Sequence, residues 1–272
     1  MSQTLGIVVP AFRPAPDRLL SYLEDLRETV SPETIRVELD VRGPESVDLE
    51  LPEWVDLHVA HRRRGKGGAI TDGFEALSTD VLAFADADGA TPAASLADVI
   101  APVQSGSVGL AVGSRRHPGA SVESHQTFAR RFLGDGFAWI ARRLLDAQLY
   151  DYQCGAKAIA AEAWEEVRPH LYEPGFAWDI ELVAVTAALD YGVREVPVVW
   201  EDQPGSTVSP VSDTFDMGRG LLIARHRARL LRDDRLHRLF ADDDDATALV
   251  DRDRRVETDH DSTDEHGGIG GE

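Results

Sequence analysis

Cysteine is almost missing from this chain. Cys154 is the only one in 272 residues, so no disulfide can form within it, and a cytoplasmic address suits a fold built without such staples. Long apolar runs are missing too. The longest charge-free stretch, residues 99–114, is interrupted by Pro102, Gln104 and several glycines, which excludes a membrane-spanning helix there. The opening MSQTLGIVVPAF has no basic segment ahead of its short apolar run, so it does not read as a secretory leader. Lysine is the other scarcity: Lys66 and Lys157 stand alone, and arginine supplies the rest of the 28 basic residues.

Acid is what the chain has in excess. Against those 28 bases stand 48 acidic residues, a net charge of -20 that excludes nucleic acid as the main partner, because phosphate contacts need a basic face. An acidic surface nearly free of lysine stays dispersed in molar salt, where the Debye length falls to about 3 Å and self-repulsion is screened, so the composition points to an extreme halophile. With 43% hydrophobic residues the chain can bury a core, and its length allows one large domain or two small ones.

From residue 4 to about 200, short β-rich runs alternate with helical patterns, the signature of an α/β domain with a mostly parallel sheet. Strands are expected at 5–9, 35–41, 55–60, 81–85, 108–112 and 193–199. Helices are expected at 17–30, where Leu19, Leu20, Leu23 and Leu26 fall at helical spacing, and at 67–77. Residues 201–213 read as a loop rich in Pro, Gly and Ser, and 214–240 as a basic amphipathic helix. The expected division is therefore a catalytic domain over 1–212, that helix over 213–240, and a disordered acidic tail over 241–272, which offers almost nothing to bury.

Three motifs carry chemistry. In Leu82-Ala-Phe-Ala-Asp-Ala-Asp-Gly89 a hydrophobic strand runs straight into Asp86 and Asp88. Residues two apart on a strand point the same way, so both carboxylates reach one spot at the sheet's carboxyl edge, where open α/β sheets bind ligands. Two hard oxygen ligands with room for water and phosphate suit Mg²⁺ or Mn²⁺ holding a diphosphate; a helix cap or acidic turn is the plainer alternative. In Arg64-Gly-Lys-Gly-Gly68, glycines beside a helix start let backbone amides approach an anion while Lys66 adds a point charge, although a solvated basic turn has the same look. Gly113-Ser-Arg-Arg116 follows a strand, and Arg130 and Arg131 come later; arginines at a strand end can clamp a diphosphate, or simply form surface ion pairs.

These motifs do not stand alone. With Ile7-Val-Val-Pro-Ala-Phe12, Asp151-Tyr-Gln-Cys-Gly-Ala-Lys157, Gly175-Phe-Ala-Trp-Asp-Ile-Glu181, Glu195-Val-Pro-Val-Val-Trp200 and Gly205-Ser-Thr-Val208 they occur in an order that resembles the dolichyl-phosphate mannose/glucose synthase branch of family 2 glycosyltransferases, over about residues 4–212. The resemblance implies a GT-A, Rossmann-like fold and metal-dependent, inverting transfer of a hexose from a UDP- or GDP-sugar donor to a polyprenyl phosphate. It further implies that Asp86 and Asp88 hold the metal and diphosphate, that Pro10, Asp40, Lys66, Arg115, Arg130 and Arg131 bind the nucleotide sugar, and that Asp151 and Asp179 join Asp88 as catalytic groups. Gln153 and Glu181 would line the acceptor and sugar pocket. Departures from the pattern are Arg13-Pro14 after Phe12, Ala90 where the metal loop often has Gln, and Thr207 where lysine is frequent. A soluble acceptor such as a phosphoglycerate, or a non-catalytic sugar-nucleotide-binding role, are the alternatives.

A phosphate monoester is already charged at pH 7, so such an acceptor demands alignment and leaving-group stabilisation more than a strong base. Cys154 lacks any partner for thiolate chemistry in its motif and reads as a packing residue. Two stretches qualify as membrane-surface contacts. Residues 128–145 alternate aromatic and aliphatic residues with arginine, and residues 214–231 carry leucines, Met217, Arg219, Arg225, Arg227 and Arg229. The protein is accordingly expected at the cytoplasmic face of the membrane, as a peripheral component of glycosylation.

Overall fold

The computed structural model describes residues 3–42, 49–123, 128–201, 212–233 and 247–252; for 123, 128–135 and 212–216 it describes the backbone alone. A seven-stranded sheet forms the middle layer. It comprises β1 (Leu5–Phe12), β2 (Thr34–Asp40), β3 (Val55–Ala60), β4 (Val81–Ala85), β5 (Leu110–Ser114), β7 (Ala156–Ala160) and β8 (Val193–Pro197), in the order β3-β2-β1-β4-β7-β5-β8. β6 (Ser121–Glu123) and β9 (Val199–Glu201) pair beside it as a two-stranded ribbon. Every pairing in the large sheet is parallel except those of β7, which runs antiparallel between β4 and β5. β1, β4 and β5 are buried on both faces, which is why they read as continuous apolar runs.

Helices cover both faces. On one side lie α1 (Pro16–Val30) and α3 (Ala93–Gln104), which bury Leu19, Leu23 and Leu26, and Leu96 and Ile100. Pro16 opens α1 and Ser31 closes it in the left-handed region. On the other side lie α2 (Lys66–Glu75), α4 (Phe128–Leu144), α5 (Ala161–Val167), α6 (Trp178–Ala188) and α7 (Ser212–Leu231). There Trp178 meets Phe84 edge-on at 5.7 Å, and its indole N–H donates to Thr71 Oγ1 at 3.1 Å, which fixes the start of α6 against α2.

The α/β architecture with a mostly parallel sheet is the expected one. Among its strands, 55–60 and 81–85 match to the residue, whereas β5 lies two residues later than expected, and Val198 divides the expected late strand into β8 and β9. Sequence reading did not assign β7, α3, α5 or α6. In α6 nearly every residue is buried, Asp179 and Glu181 included, so no apolar stripe marks it as a helix.

In the C-terminal third, two segments pack where a disordered tail and a surface helix were expected. Residues 247–252 lie inside the supposed disordered tail, yet Ala248 and Leu249 are buried and the Leu249 N–H donates to the Leu171 carbonyl at 2.8 Å; the rest of 241–272 lies outside the described residues. α7 is a packing helix. Leu221 is 2% exposed with Ala224 and Ala228 beside it in the core, while Leu222 is 60% exposed. Three of its arginines reach protein: Arg225 donates to the Leu144 carbonyl, Arg227 pairs with Glu181, and Arg229 with Asp146, while Arg219 is exposed. No helix among the described residues is long and apolar enough to cross a membrane.

Candidate active site

The carboxyl edge of the sheet collects the polar groups. β4 delivers Asp86 there directly. Because β7 is antiparallel, its amino end meets that same edge, so residues 151–155 run alongside and the Asp86 N–H donates to the Gly155 carbonyl at 2.9 Å. A β-carbon at position 155 would overlap the Asp86 carboxylate, so only glycine lets that carboxylate lie against the backbone.

A chain of alternating charges crosses this edge. Lys66 Nζ lies 3.1 Å from Asp86 Oδ1 and 3.0 Å from Asp179 Oδ2. Asp179 Oδ1 in turn pairs with Lys157, which also donates to the Cys154 carbonyl at 2.9 Å. Burial disfavours the charged form of each, but the opposite charges prevail: Lys66 is held above its ordinary pKa by Asp179 and Asp86, and Asp179 below its own by Lys157 and Lys66. Lys157 is itself only 1% exposed. It was not among the expected site residues, although its being one of two lysines, in a motif already singled out, was a usable signal.

Asp88 turns one oxygen to the Ala90 N–H at 3.0 Å. Burial, then the neighbouring charge of Asp86, pushes its carboxyl above the usual range. A carboxylate whose charge is disfavoured by burial and by a neighbouring carboxylate suits a hard cation beside it. Two carboxylate donors leave the rest of a cation's shell to water and phosphate oxygens, which Mg²⁺ and Mn²⁺ accept; among the described residues no group of three or more His, Cys, Asp or Glu is placed to hold a metal.

Arg115, just past β5, makes a bidentate pair with Asp151 at 2.7 and 3.0 Å and lies 6.0 Å over the Trp200 ring. Asp151 also accepts from the backbone N–H groups of Arg115 and Gln153, while Glu195 accepts from those of Tyr150 and Asp151. Burial raises the Asp151 pKa, but Arg115 outweighs it and holds the carboxyl well below the carboxylate range. Asp151 thereby holds the Arg115 guanidinium in place at the end of β5. Cys154 is fully buried with its thiol pushed up to about 11, first by burial and then by Asp151, in keeping with a packing residue.

The remaining expected residues fall into four groups. Glu181 is buried; it accepts from the Tyr172 and Glu173 N–H groups at 2.8 Å each and pairs with Arg227, so it fastens a loop and α7. Asp40 accepts from the Arg64 and Gly65 N–H groups and from the Arg64 guanidinium, holding the glycine-rich turn, and Pro10 lies inside β1 opposite Glu38. Gln153 reaches Met217 of α7, its amide nitrogen 2.7 Å from the sulfur. The side chains of Arg130 and Arg131 lie outside the described residues, as does the Gly205 to Val208 motif. Sequence reading also missed the network of buried Glu38 with Arg36, His58 and Arg64 under the turn, and the three arginines, 13, 42 and 63, whose guanidiniums lie 5.3, 5.9 and 3.8 Å from the Phe12 ring centroid.

Paired carboxylates faced by cations stand at the carboxyl edge of a doubly covered α/β sheet, the place where open α/β sheets bind ligands. Residues 51–159 match the family model described as Glycosyl transferase family 2. Glycosyltransferase AglD of Haloferax volcanii is 28% identical over 231 residues, covering 80% of this chain and 36% of that protein. The dolichyl-phosphate beta-glucosyltransferase of Mus musculus is 32% identical over 171 residues, 61% of this chain and 53% of its own length. The chain thus spans about half, or less, of the curated relatives it matches. Among solved structures, glucosyl-3-phosphoglycerate synthase from Mycobacterium tuberculosis, in complex with Mn²⁺, UDP-glucose and phosphoglyceric acid, superposes with a TM-score of 0.58 at 14% identity, over 85% of this chain and 80% of that one. Mannosyl-3-phosphoglycerate synthase from Rubrobacter xylanophilus gives 0.56 at 17%, over 85% and 75%. The fold is that of GT-A glycosyltransferases. Over residues 51–159 the chain is similar to glycosyl transferase family 2, and over a longer span to AglD and to dolichyl-phosphate beta-glucosyltransferases.

Proposed function

We propose that the chain transfers a hexose, with inversion, from a UDP- or GDP-sugar to a polyprenyl phosphate such as dolichyl phosphate, for protein or surface glycosylation. The observation that carries this reading is the convergence of Asp86, Asp88, Lys66 and the Asp151-oriented Arg115 on one sheet edge, in a chain similar to dolichyl-phosphate beta-glucosyltransferases. An oxygen of the acceptor phosphate bonds to the anomeric carbon while the bond from that carbon to the nucleoside diphosphate breaks on the opposite face. Negative charge builds on the departing diphosphate. Lys66 and Arg115 are fixed cations at that edge, each locked by a carboxylate, so little reorganisation is needed as the charge develops. Asp86 and Asp88 would hold Mg²⁺ or Mn²⁺, which supplies Lewis-acid stabilisation of the leaving group. The acceptor is already ionised, so it is consistent that both Asp151 and Asp179 are engaged in ion pairs rather than poised as bases.

A lipid acceptor requires contact with a bilayer surface. With α7 committed to packing, α4 is the better element, since Trp139 is 54% exposed with Ile140 beside it and the Arg143 guanidinium lies 4.8 Å from the Trp139 ring. We place the protein on the cytoplasmic face on this reading. A soluble acceptor is the second reading, favoured by the likeness to synthases crystallised with phosphoglyceric acid. Radiolabelled UDP- and GDP-hexoses with polyprenyl phosphate, Mg²⁺ and molar KCl should give label that extracts into organic solvent. Label that stays aqueous and depends on phosphoglycerate would favour the second reading, and no transfer to either acceptor overturns both.

A further inference from the structure

Residues 247–252 dock far from their neighbours in sequence. Leu249, 6% exposed, sits in the core cluster on the α6 face, its N–H bonded to the Leu171 carbonyl, and the Arg252 guanidinium donates to the Tyr172 carbonyl at 2.7 Å while also closing its own turn on Thr247. The segment they grip, residues 171–175, is an irregular stretch ahead of α6. Its inner side is held by Glu181, which takes the Tyr172 and Glu173 N–H groups, and by Arg227, whose guanidinium lies 4.3 Å from the Tyr172 ring.

The far end of that stretch carries the glycine-rich turn. The Pro174 carbonyl accepts from the Gly68 N–H at 3.1 Å. Gly65, at φ +84°, approaches that carbonyl so closely that a β-carbon would collide with it. Between the carbonyl that Arg252 grips and the carbonyl that seats Gly65 and Gly68 there is one residue, Glu173, and both its neighbours are tethered. A shift at Leu171 or Tyr172 is therefore passed to the turn that aims Lys66 at Asp86 and Asp179.

We propose that residues 247–252 are a strap that positions the Lys66 turn through residues 171–175, with Leu249 as its positioning residue. The effect on KM rests on the functional reading above; the effect on the turn does not. A helix that merely caps the core would stabilise the whole fold evenly. A strap acts on one path.

The test uses the full chain with Leu249→Asp, Leu249→Met as the conservative control, and a chain ending after Arg252. Leu249→Asp should speed amide exchange at Tyr172, Glu173 and Gly68 by about tenfold with β1 and β4 unchanged, and should raise the KM for the sugar nucleotide by about fivefold with kcat within about twofold. Leu249→Met and the chain ending after Arg252 should match the parent. Exchange at Gly68 that does not respond to Leu249→Asp overturns the proposal, and so does an equal acceleration in β1 and β4, which would make Leu249 an ordinary core residue. Faster exchange with an unchanged KM overturns the link to Lys66. A parent chain that transfers sugar to no acceptor defeats the functional reading, and the exchange result then still decides the strap.

Discussion

Lys66 Nζ lies 3.0 Å from Asp179 Oδ2, and this ion pair ties the glycine-rich turn at the start of α2 to the first turn of α6, two segments more than a hundred residues apart. Asp179 balances Lys66 and the buried Lys157 together, so its charge is a structural requirement as well as a feature of the site.

Asp179→Asn should leave Lys157 as a buried cation without its counter-ion, at a cost of about 3–5 kcal/mol. In a domain of this size that corresponds to a fall in Tm of roughly 10 °C. Thermal melts at constant salt check it, and adding Lys157→Met should recover at least half of the loss. An unchanged Tm in the single variant would show that the pair does not form.

Asp86→Asn and Asp88→Asn each remove an anionic oxygen without removing core volume. Transfer should fall by about 10²-fold or more while the far-UV circular dichroism is retained. Wild-type turnover in both variants would eliminate them as metal ligands.

Acid stability should follow Asp151. Its folded-state pKa is lowered, so its contribution is complete above the ordinary Asp pKa of about 3.9 and is lost as pH falls through the folded value. Asp151→Asn should therefore be less stable than the parent at pH 7 yet lose less stability between about pH 5 and pH 2. Urea titrations across that range measure the slope. Glu181 has the opposite sign: burial raises its pKa, so its charged form costs stability as pH rises through the folded value.

The two neighbouring leucines of α7 should behave differently. Leu221→Ala opens a cavity against the core and should cost about 3 kcal/mol, whereas Leu222→Asp, on the exposed side, should change stability by no more than about 0.5 kcal/mol. Trp139→Asp with Ile140→Asp on α4 should abolish flotation with acceptor-containing liposomes in molar KCl. Equal flotation of parent and double variant would remove α4 as the bilayer contact.

Net charge makes a prediction of its own. With -20 to disperse, the protein should melt at a lower temperature in dilute buffer than in molar KCl, where the repulsion is screened. A Tm independent of salt would contradict the halophilic reading of the composition.

What could be read along the chain was whatever depends on near neighbours. The run Leu82 to Ala85 ending in Asp86 and Asp88 specifies a buried strand with two carboxylates at its end, because strand periodicity is local. The glycine-rich turn before α2 and the apolar stripe of α1 are legible for the same reason. The partners of those charges were not. Asp151 was expected to act on substrate, but the antiparallel entry of β7 brings its segment beside β5, where Arg115 claims both its oxygens. Glu181 and Asp179 sit two residues apart on one helix, yet one faces Tyr172 and Arg227 and the other Lys66 and Lys157. Leu249 lies in a stretch expected to bury almost nothing, and only the carbonyl of Leu171, 78 positions away, gave it a place. Ion pairing and burial depend on which segments the topology brings together, so a carboxylate's residue type was decided by the sequence while its role was decided by the tertiary structure.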